Sequence, residues 1–570
     1  MGEEVPVVVG DGLEFVGVGL TVAGGEDGVR LLHDVTLQLS GSGGLVAILG
    51  PSGCGKSTFL KVVAGIVGHT DGVVRWRGTE LGDDAEFDAG EIGYVPQFSI
   101  AHEGLSVGEC FEDAMRIRGI SVVGDADPVA SIAARVGLDA TRRISVLSGG
   151  QRRRLALGLE LMSEPEILMC DEVTSGLDPR SEEEVVGVLR QEAARGRLVL
   201  NVTHSLRHLA LHDEVVVLCA GRLAYHGPPG LLGHYFGITD MEELYPRLGL
   251  RSPDEWADSW SRKREGYVAE RPLKEGGGKV AIERGVGSFL AQATVVFSRR
   301  LRLLVRDRGA LGLQAAMVFG FPILVLMFAL DGIPGLAAFN ERFAGADIAR
   351  QLAADLESTA SYMRVGSLVS GLILFQVVLL SLMGANNAAR EVSGERLIFE
   401  KERFSGLRPE AYLAGKTGFI VLLSAVQSLW MAVFLGIFVG LPGNWVSQAC
   451  ILVLSNLAMG MVSLGISALM RTPEQSSLLT VYLVGFQLPL SGAVLAMPDW
   501  LGRLSRPFIE GYWAWAGFVQ TFADVRHFDA VLRTTATPVC SVGAAAMVLT
   551  IHIAVGFLLA LWGARRSHWE

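Results

Sequence analysis

The chain has 570 residues, 50% of them hydrophobic and 19% charged, with a formal net charge of −11 and a mean hydropathy of +0.38. These values exclude intrinsic disorder, a collagen-like repeat and a disulfide-dense secreted scaffold, and they argue against a wholly soluble enzyme. The acidic balance lacks the basic footprint of a general nucleic-acid binder, so no nucleic-acid partner is expected.

The first residues, MGEEVPVVVG, are acidic and lack the basic start of a signal peptide, so the first half is expected to stay in the cytoplasm. Residues 1–260 read as a soluble α/β domain, with short apolar runs between Gly-rich turns and amphipathic stretches. The six cysteines form no CxxC and no Cys/His cluster, so no zinc site is expected.

Three elements of this domain carry chemistry. Gly50-Pro51-Ser52-Gly53-Cys54-Gly55-Lys56-Ser57 fits G-x-x-x-x-G-K-[ST] and lies between the apolar strand 45–49 and a helical run that Thr58 opens. Glycines there let backbone N–H groups turn inward and cradle phosphate oxygens. Lys56 is placed to reach the β- and γ-phosphates and Ser57 to ligate Mg²⁺. Leu147-Ser148-Gly149-Gly150-Gln151 opens an Arg-rich helix whose N-terminus makes an anion site. Asp171 and Glu172 end the apolar strand of EILMCDE (166–172). The first suits Mg²⁺ and the second a general base for the attacking water.

Beyond this domain, residues 261–284 have the charged, Gly-rich composition of a linker. The basic stretch 285–309 interleaves Arg and apolar positions and reads as an amphipathic helix at the membrane interface. From 310 to 570 the sequence predicts an all-α membrane domain with about six spans: 310–330, 365–387, 417–440, 446–470, 476–497 and 541–563. Arg299, Arg300, Arg302, Arg306 and Arg308 precede the first span, and the 386–416 connection is also Arg-rich. The positive-inside rule therefore places both termini and that connection in the cytoplasm, with 331–364 and 498–540 outside. The 331–364 segment reads as helix, and Trp500, Tyr512, Trp513 and Trp515 suit a membrane interface.

Taken together, the phosphate loop, LSGGQ and the Asp-Glu strand resemble the ATP-binding cassette (ABC) transporter family, over residues 1 to about 230. The resemblance implies ATP and Mg²⁺ as ligands and two cassettes packed head to tail. Each ATP would then lie between the phosphate loop of one copy and Ser148, Gly149, Gly150 and Gln151 of the other. It further implies that Gln97 (in YVPQ) contacts Mg²⁺ beside Ser57 and Asp171, that Asp178 crosses the dimer interface, and that His204 (in NVTHS) contacts the γ-phosphate. The family's adenine-stacking aromatic has no counterpart in GLTVAGGEDG (19–28), and the nearby Phe15 reads as a buried strand residue.

Cassette first and spans second resembles the ABCG half-transporters, and GRLAYHGPP (221–229) is similar to their G-x-x-x-Y-x-G-P. Glu395, Arg396, Phe399, Glu402 and Arg403, followed by Tyr412 and Lys416, resemble the coupling helix of that group. The expected protein is an integral membrane exporter of a hydrophobic, amphipathic or lipid-like substrate. It is expected to work as a homodimer in a bacterial inner membrane, the bacterial source being read from an Arg-, Gly-, Ala- and Val-rich composition. Phe375, Phe486 and Leu488 are candidates for the substrate path, with lipid-facing or packing roles equally open. Two other readings stand beside this one: a membrane-anchored regulatory ATPase, and one half of a heterodimer.

Overall fold

The computed structural model describes residues 12–22, 28–41, 43–81, 91–97, 101–122, 127–267, 282–284, 287–330, 348–493 and 497–566. The chain forms two compact units. One runs to Ser288 and takes in Phe404–Gly406; the other holds Phe289–Arg403 and continues from Leu407.

The first unit is an α/β cassette. Its strands are β1 (Gly12–Val22), β2 (Val29–Ser40), β3 (Gly44–Leu49), β4 (Asp71–Trp76), β5 (Thr79–Leu81), β6 (Ile92–Val95), β7 (Ile120–Val122), β8 (Ile167–Asp171), β9 (Leu198–Val202), β10 (Glu214–Cys219), β11 (Arg222–Gly227) and β12 (Ile282–Arg284). A six-stranded sheet has the order β11-β10-β3-β9-β8-β6, and a smaller antiparallel sheet has the order β2-β1-β4-β5. The strands β10, β3, β9, β8 and β6 pair in parallel. Helices cover such a sheet on both faces, so its central strands are apolar without alternation. All six residues of β3 and all five of β8 and of β9 are buried.

The helices of this unit are α1 (Lys56–Val63), α2 (Val107–Arg118), α3 (Pro128–Arg135), α4 (Gly149–Leu161), α5 (Pro179–Ala194), α6 (Pro229–Phe236), α7 (Leu244–Leu248) and α8 (Pro253–Lys263). Ser106, Ser148 and Ser252 each open a helix with a reciprocal capping box, closed by Glu109, Gln151 and Glu255. Tyr225, Tyr235, Phe236, Trp256 and Trp260 form one aromatic cluster that packs α6 and α8 onto β11.

The second unit is all helical: α9 (Phe289–Arg306), α10 (Arg308–Ala329), α11 (Ile348–Ala388), α12 (Arg396–Phe404), α13 (Pro409–Phe438), α14 (Trp445–Leu469), α15 (Pro473–Leu490), α16 (Asp499–Ser505), α17 (Glu510–Gln520), α18 (Arg526–Thr534) and α19 (Val542–Arg566). Among the described residues, five helices have the length and composition to cross a membrane: α10, the helical run Tyr362–Phe404, α13, α14 and α19. Six spans were expected, and the fifth of them, 476–497, falls on α15. That helix ends at Leu490, opens on Pro473, Glu474 and Gln475 and carries Gln487, so it lacks the continuous apolar run of the other five. The expected outer segment 331–364 lies outside the described residues up to 347, and α11 begins at Ile348.

Two devices hold the spans together. Small residues bring backbones close where α14 meets α19: a Cβ at Gly556 would lie 2.4 Å from the Met461 carbonyl carbon, and one at Gly563 2.7 Å from that of Ala468. Side-chain amides link four helices. Gln314 of α10 donates to Asn387 of α11 at 2.9 Å, Asn387 donates to Gln427 of α13 at 2.9 Å, and Asn456 of α14 donates to Gln427 at 3.1 Å. Buried amides are costly without partners, and here each satisfies the next.

Candidate nucleotide site and coupling helix

β3 delivers the phosphate loop to the centre of the sheet. Gly53 and Gly55 have φ of 76° and 98°, a region that favours glycine, and Gly55 caps α1. A Cβ at Gly50 would lie 2.3 Å from the Leu218 carbonyl oxygen, so this position admits no side chain without a backbone shift. Lys56 is buried and folds back on the loop, its Nζ donating to the carbonyls of Gly50 at 2.8 Å and Pro51 at 2.9 Å. It thus stands over the cradle where phosphate oxygens would compete with these carbonyls.

Asp171 ends β8, two strands from β3. Its Oδ1 accepts from Ser57 Oγ at 2.9 Å and its Oδ2 from the Tyr94 hydroxyl at 3.2 Å. Burial raises Asp171 above the usual carboxylate range, while these two hydroxyls and Lys61 pull it back down. Burial, then the Asp171 charge, raises the Tyr94 phenol above its ordinary value, so it remains the donor. Sequence reasoning missed Tyr94. It lies within β6, three residues before Gln97, where a buried tyrosine reads as core. The pairing of a hydroxyl with a buried carboxylate at the mouth of the loop is a hard oxygen set of the kind Mg²⁺ takes.

Glu172 has φ +52°, a strained value for a residue with a side chain, at a cost of about 1–3 kcal/mol. Its N–H bonds to the Val202 carbonyl at 3.1 Å, which fixes the turn against β9. The carboxylate is held from both sides. His204 Nε2 lies 2.8 Å from Oε1, and Gln97 Nε2 donates to Oε2 at 2.9 Å. The structure therefore bonds Ser57 of the phosphate loop to Asp171, and bonds Gln97 and His204 to the adjacent Glu172.

Ser148, Gly149, Gly150, Gln151 and Asp178 form a second group. Ser148 and Gln151 cap each other, and Asp178 caps α5 by accepting from Ser181 N–H at 3.1 Å. That bond holds the exposed Asp178 carboxyl below the usual range. A Cβ at Gly150 would lie 2.9 Å from Ser181 Cβ, so the glycine lets α4 and α5 approach. Among the described residues, no hydrogen bond joins this group to the first. Phe15 is buried against Phe59, with ring centroids 4.8 Å apart, so it is a core residue.

The residues expected to form a coupling helix lie on and just before α12. Phe399 stacks on Tyr412 at 4.3 Å between centroids, and Glu402 receives Arg299 of α9 through both oxygens. Lys416 joins Glu395 at 2.5 Å to Glu391 at 3.0 Å, and Arg300 bonds Glu391 at 2.8 Å. Arg396 donates to the carbonyls of Ala468 at 2.7 Å and Met470 at 3.0 Å, at the end of α14. Arg403, two turns on, donates to those of Ala564 and Arg565 at 3.3 Å, near the end of α19. Carbonyls at a helix C-terminus lack intrahelical donors, and arginine supplies them. α12 is thus bonded to the ends of two spans that pack on each other. Of the expected path residues, Phe375 packs edge-on to Phe328 at 5.3 Å, while Phe486 and Leu488 are exposed on α15.

The fold and this site define a nucleotide-binding cassette joined to a membrane domain of apolar helices. Residues 32–175 match the family "ABC transporter", and residues 291–506 match "ABC-2 type transporter". The chain is 31% identical over 502 residues to the ABC transporter ATP-binding/permease protein Rv1747 of Mycobacterium tuberculosis, covering 85% of this chain and 54% of that one. It is 35% identical to ABC transporter G family member 25 of Oryza sativa subsp. japonica over 42% of this chain and 24% of that one. It is 29% identical to ABC transporter G family member 4 of Arabidopsis thaliana over 55% and 57% of the two chains. It therefore spans about half or less of the length of these relatives. A solved dimeric ATP-binding cassette with ADP and Pi aligns at 24% identity and TM-score 0.34 over 38% of this chain and 98% of that one. The chain thus combines a cassette that matches the ABC transporter family with a following ABC-2 type membrane domain, the cassette-first order of the ABCG family members it is similar to, and its five apolar helices suit a multi-pass membrane protein.

Proposed function

We propose that the chain is a half-transporter that hydrolyses ATP to export a hydrophobic, amphipathic or lipid-like substrate, working as a homodimer. The observation that carries this reading is the Glu172 carboxylate, held at once by His204 and Gln97 beside the phosphate loop. A general base must be fixed in place before the water arrives, and two bonds fix this one. Lys56 exchanges its two loop carbonyls for the β- and γ-phosphates. Glu172 orients the attacking water and takes its proton, and His204, released from Oε1, turns to the γ-phosphate. Ser57 and Asp171, with Gln97 from the adjacent loop, would hold Mg²⁺, which supplies charge neutralisation on the phosphates.

The second copy is needed because Ser148–Gln151 and Asp178 make no bond to the phosphate loop of their own chain. The capped start of α4 presents backbone N–H groups suited to the γ-phosphate of a partner's ATP. In the membrane domain α12 acts as a lever. Its bonds to α9, α14 and α19 make a rigid unit that passes a displacement to the spans. The arginine-rich flanks favour a cytoplasmic cassette in a bacterial inner membrane. The test is vanadate-sensitive ATP hydrolysis by the purified full chain in nanodiscs beside Glu172→Gln. Turnover that vanishes in the variant with ATP binding retained supports the reading, and equal turnover in both overturns the base assignment.

A further inference from the structure

Glu510 stands apart from the nucleotide site and from the coupling helix. It opens α17, outside the five spanning helices, and its side chain is buried in the membrane domain, 2% exposed. Two side chains hold its carboxyl. Ser455 Oγ of α14 is 2.8 Å from Oε2, and Ser381 Oγ of α11 is in short contact with Oε1. The next backbone N–H, of Gly511, donates to Gln487 Oε1 of α15 at 3.0 Å, which seats the start of α17.

The hydrogens around this carboxyl can be counted. Ser381 Oγ also lies 2.9 Å from the Val377 carbonyl oxygen, one turn back on α11. A carbonyl only accepts, and a serine hydroxyl has a single hydrogen. With that hydrogen on Val377, the hydrogen between Ser381 Oγ and Oε1 must come from the carboxyl itself. Glu510 O–H then donates to Ser381, Ser381 donates to Val377, and Ser455 donates to Oε2. Every donor in the chain is used. In the ionised alternative, Ser381 would turn from Val377, and two hydroxyls alone would face a buried negative charge.

Charge decides between the two arrangements. Among the described residues, no lysine, arginine, histidine or second carboxylate bonds the Glu510 carboxyl, which meets the two serines. Three charged or titratable groups near the start of α17 or on elements packed against it are engaged elsewhere. Arg506 lies over the Tyr512 ring at 5.3 Å, Tyr512 donates to the Pro538 carbonyl at 3.0 Å, and His552 Nδ1 faces the Val548 carbonyl at 2.9 Å. Two hydroxyls and one helix N-terminus leave a buried carboxylate without a positive partner, so this enclosure favours the neutral acid.

We infer that Glu510 is a proton-binding site of the membrane domain, a neutral carboxylic acid clamped between α11 and α14. The proton stays while the two serines enclose it and is lost when the contact opens to water. The ligand is thus a proton bound by geometry that the cassette's chemistry does not use.

Infrared spectroscopy of the full chain in nanodiscs, on the acid side of the Glu510 folded value of about 7, tests this. The wild type should show a protonated-carboxyl C=O band, sensitive to deuterium exchange, that Glu510→Gln lacks. Glutamine can donate to Ser381 and accept from Ser455, so the variant should fold and match wild-type thermal stability well below the acid's folded value of about 7. The wild type should also lose stability relative to the variant as the pH rises through the acid's folded value. No difference in the carboxyl band would overturn the inference, as would a glutamine variant whose pH-stability profile matches the wild type. Neither measurement needs ATP turnover, so its failure is distinct from failure of the transporter reading.

Discussion

Removing one oxygen atom from Tyr94 tests how Asp171 is held. The Tyr94 hydroxyl donates to Asp171 Oδ2 at 3.2 Å, inside the protein, and Ser57 takes the other oxygen. A hydrogen bond to a charged group contributes about 1.5–3 kcal/mol, and a bond of this length sits at the low end. Tyr94→Phe keeps the ring and its packing and deletes only the bond. A loss near 1.4 kcal/mol corresponds to about tenfold, within the 10–100-fold that groups behind a metal ligand typically control. The Mg²⁺ concentration for half-maximal ATP hydrolysis should therefore rise about tenfold, with kcat at saturating Mg²⁺ within about twofold of wild type. ATPase titrations against Mg²⁺ in nanodiscs read both quantities. An unchanged half-saturation would show that Tyr94 does not orient Asp171. A lowered kcat with the same Mg²⁺ requirement would place its role elsewhere in the cycle.

Arg396→Ala removes both donors at the end of α14, and Arg403→Ala those near the end of α19. Each should lower unfolding stability by about 1.5–3 kcal/mol in thermal scans, with the longer Arg403 bonds giving the smaller loss. Gly556→Ala puts a Cβ 2.4 Å from the Met461 carbonyl carbon, so α14 and α19 must separate. Overpacking of this kind costs about 1–3 kcal/mol, whereas Gly485→Ala, with nothing near its Cβ, should be silent in the same scans. His212 is buried between Asn201 Nδ2 and the His208 carbonyl, and burial holds it below the ordinary histidine value. The unfolded chain then takes up this proton first, so stability falls as pH drops through that ordinary value. The slope is at most about 1.4 kcal/mol per pH unit for this one group, and urea titrations should find it removed in His212→Gln.

The phosphate loop was legible because its chemistry fixes both residue type and spacing. Gly50 to Ser57 must turn the backbone inward, and few other patterns do so. Asp171 and Glu172 were legible by their place at the end of an apolar strand. Tyr94 was not, since a buried tyrosine on a strand reads as core, and only the fold of β6 beside β8 brings its hydroxyl to Asp171. Arg396 and Arg403 were visible as part of a charged motif. Their partners are backbone carbonyls more than 70 residues away, which carry no sequence signature. The expected span 476–497 falls on a helix that starts earlier, at Pro473, so that Glu474 and Gln475 join Gln487 in diluting its apolar run. Glu510 gave no signal at all. A lone glutamate before an aromatic segment reads as an interfacial residue until Ser381 and Ser455 close around it.

The central claim is that one chain, paired with itself, carries a complete hydrolytic site. Vanadate-sensitive ATP hydrolysis by the purified wild type in nanodiscs, beside Glu172→Gln, tests it most directly. A positioned general base contributes about 10²–10⁴-fold, so the variant should bind ATP normally and turn over at least about a hundredfold more slowly. No turnover by well-folded wild-type protein alone, with activity appearing only when a different cassette is added, would contradict it.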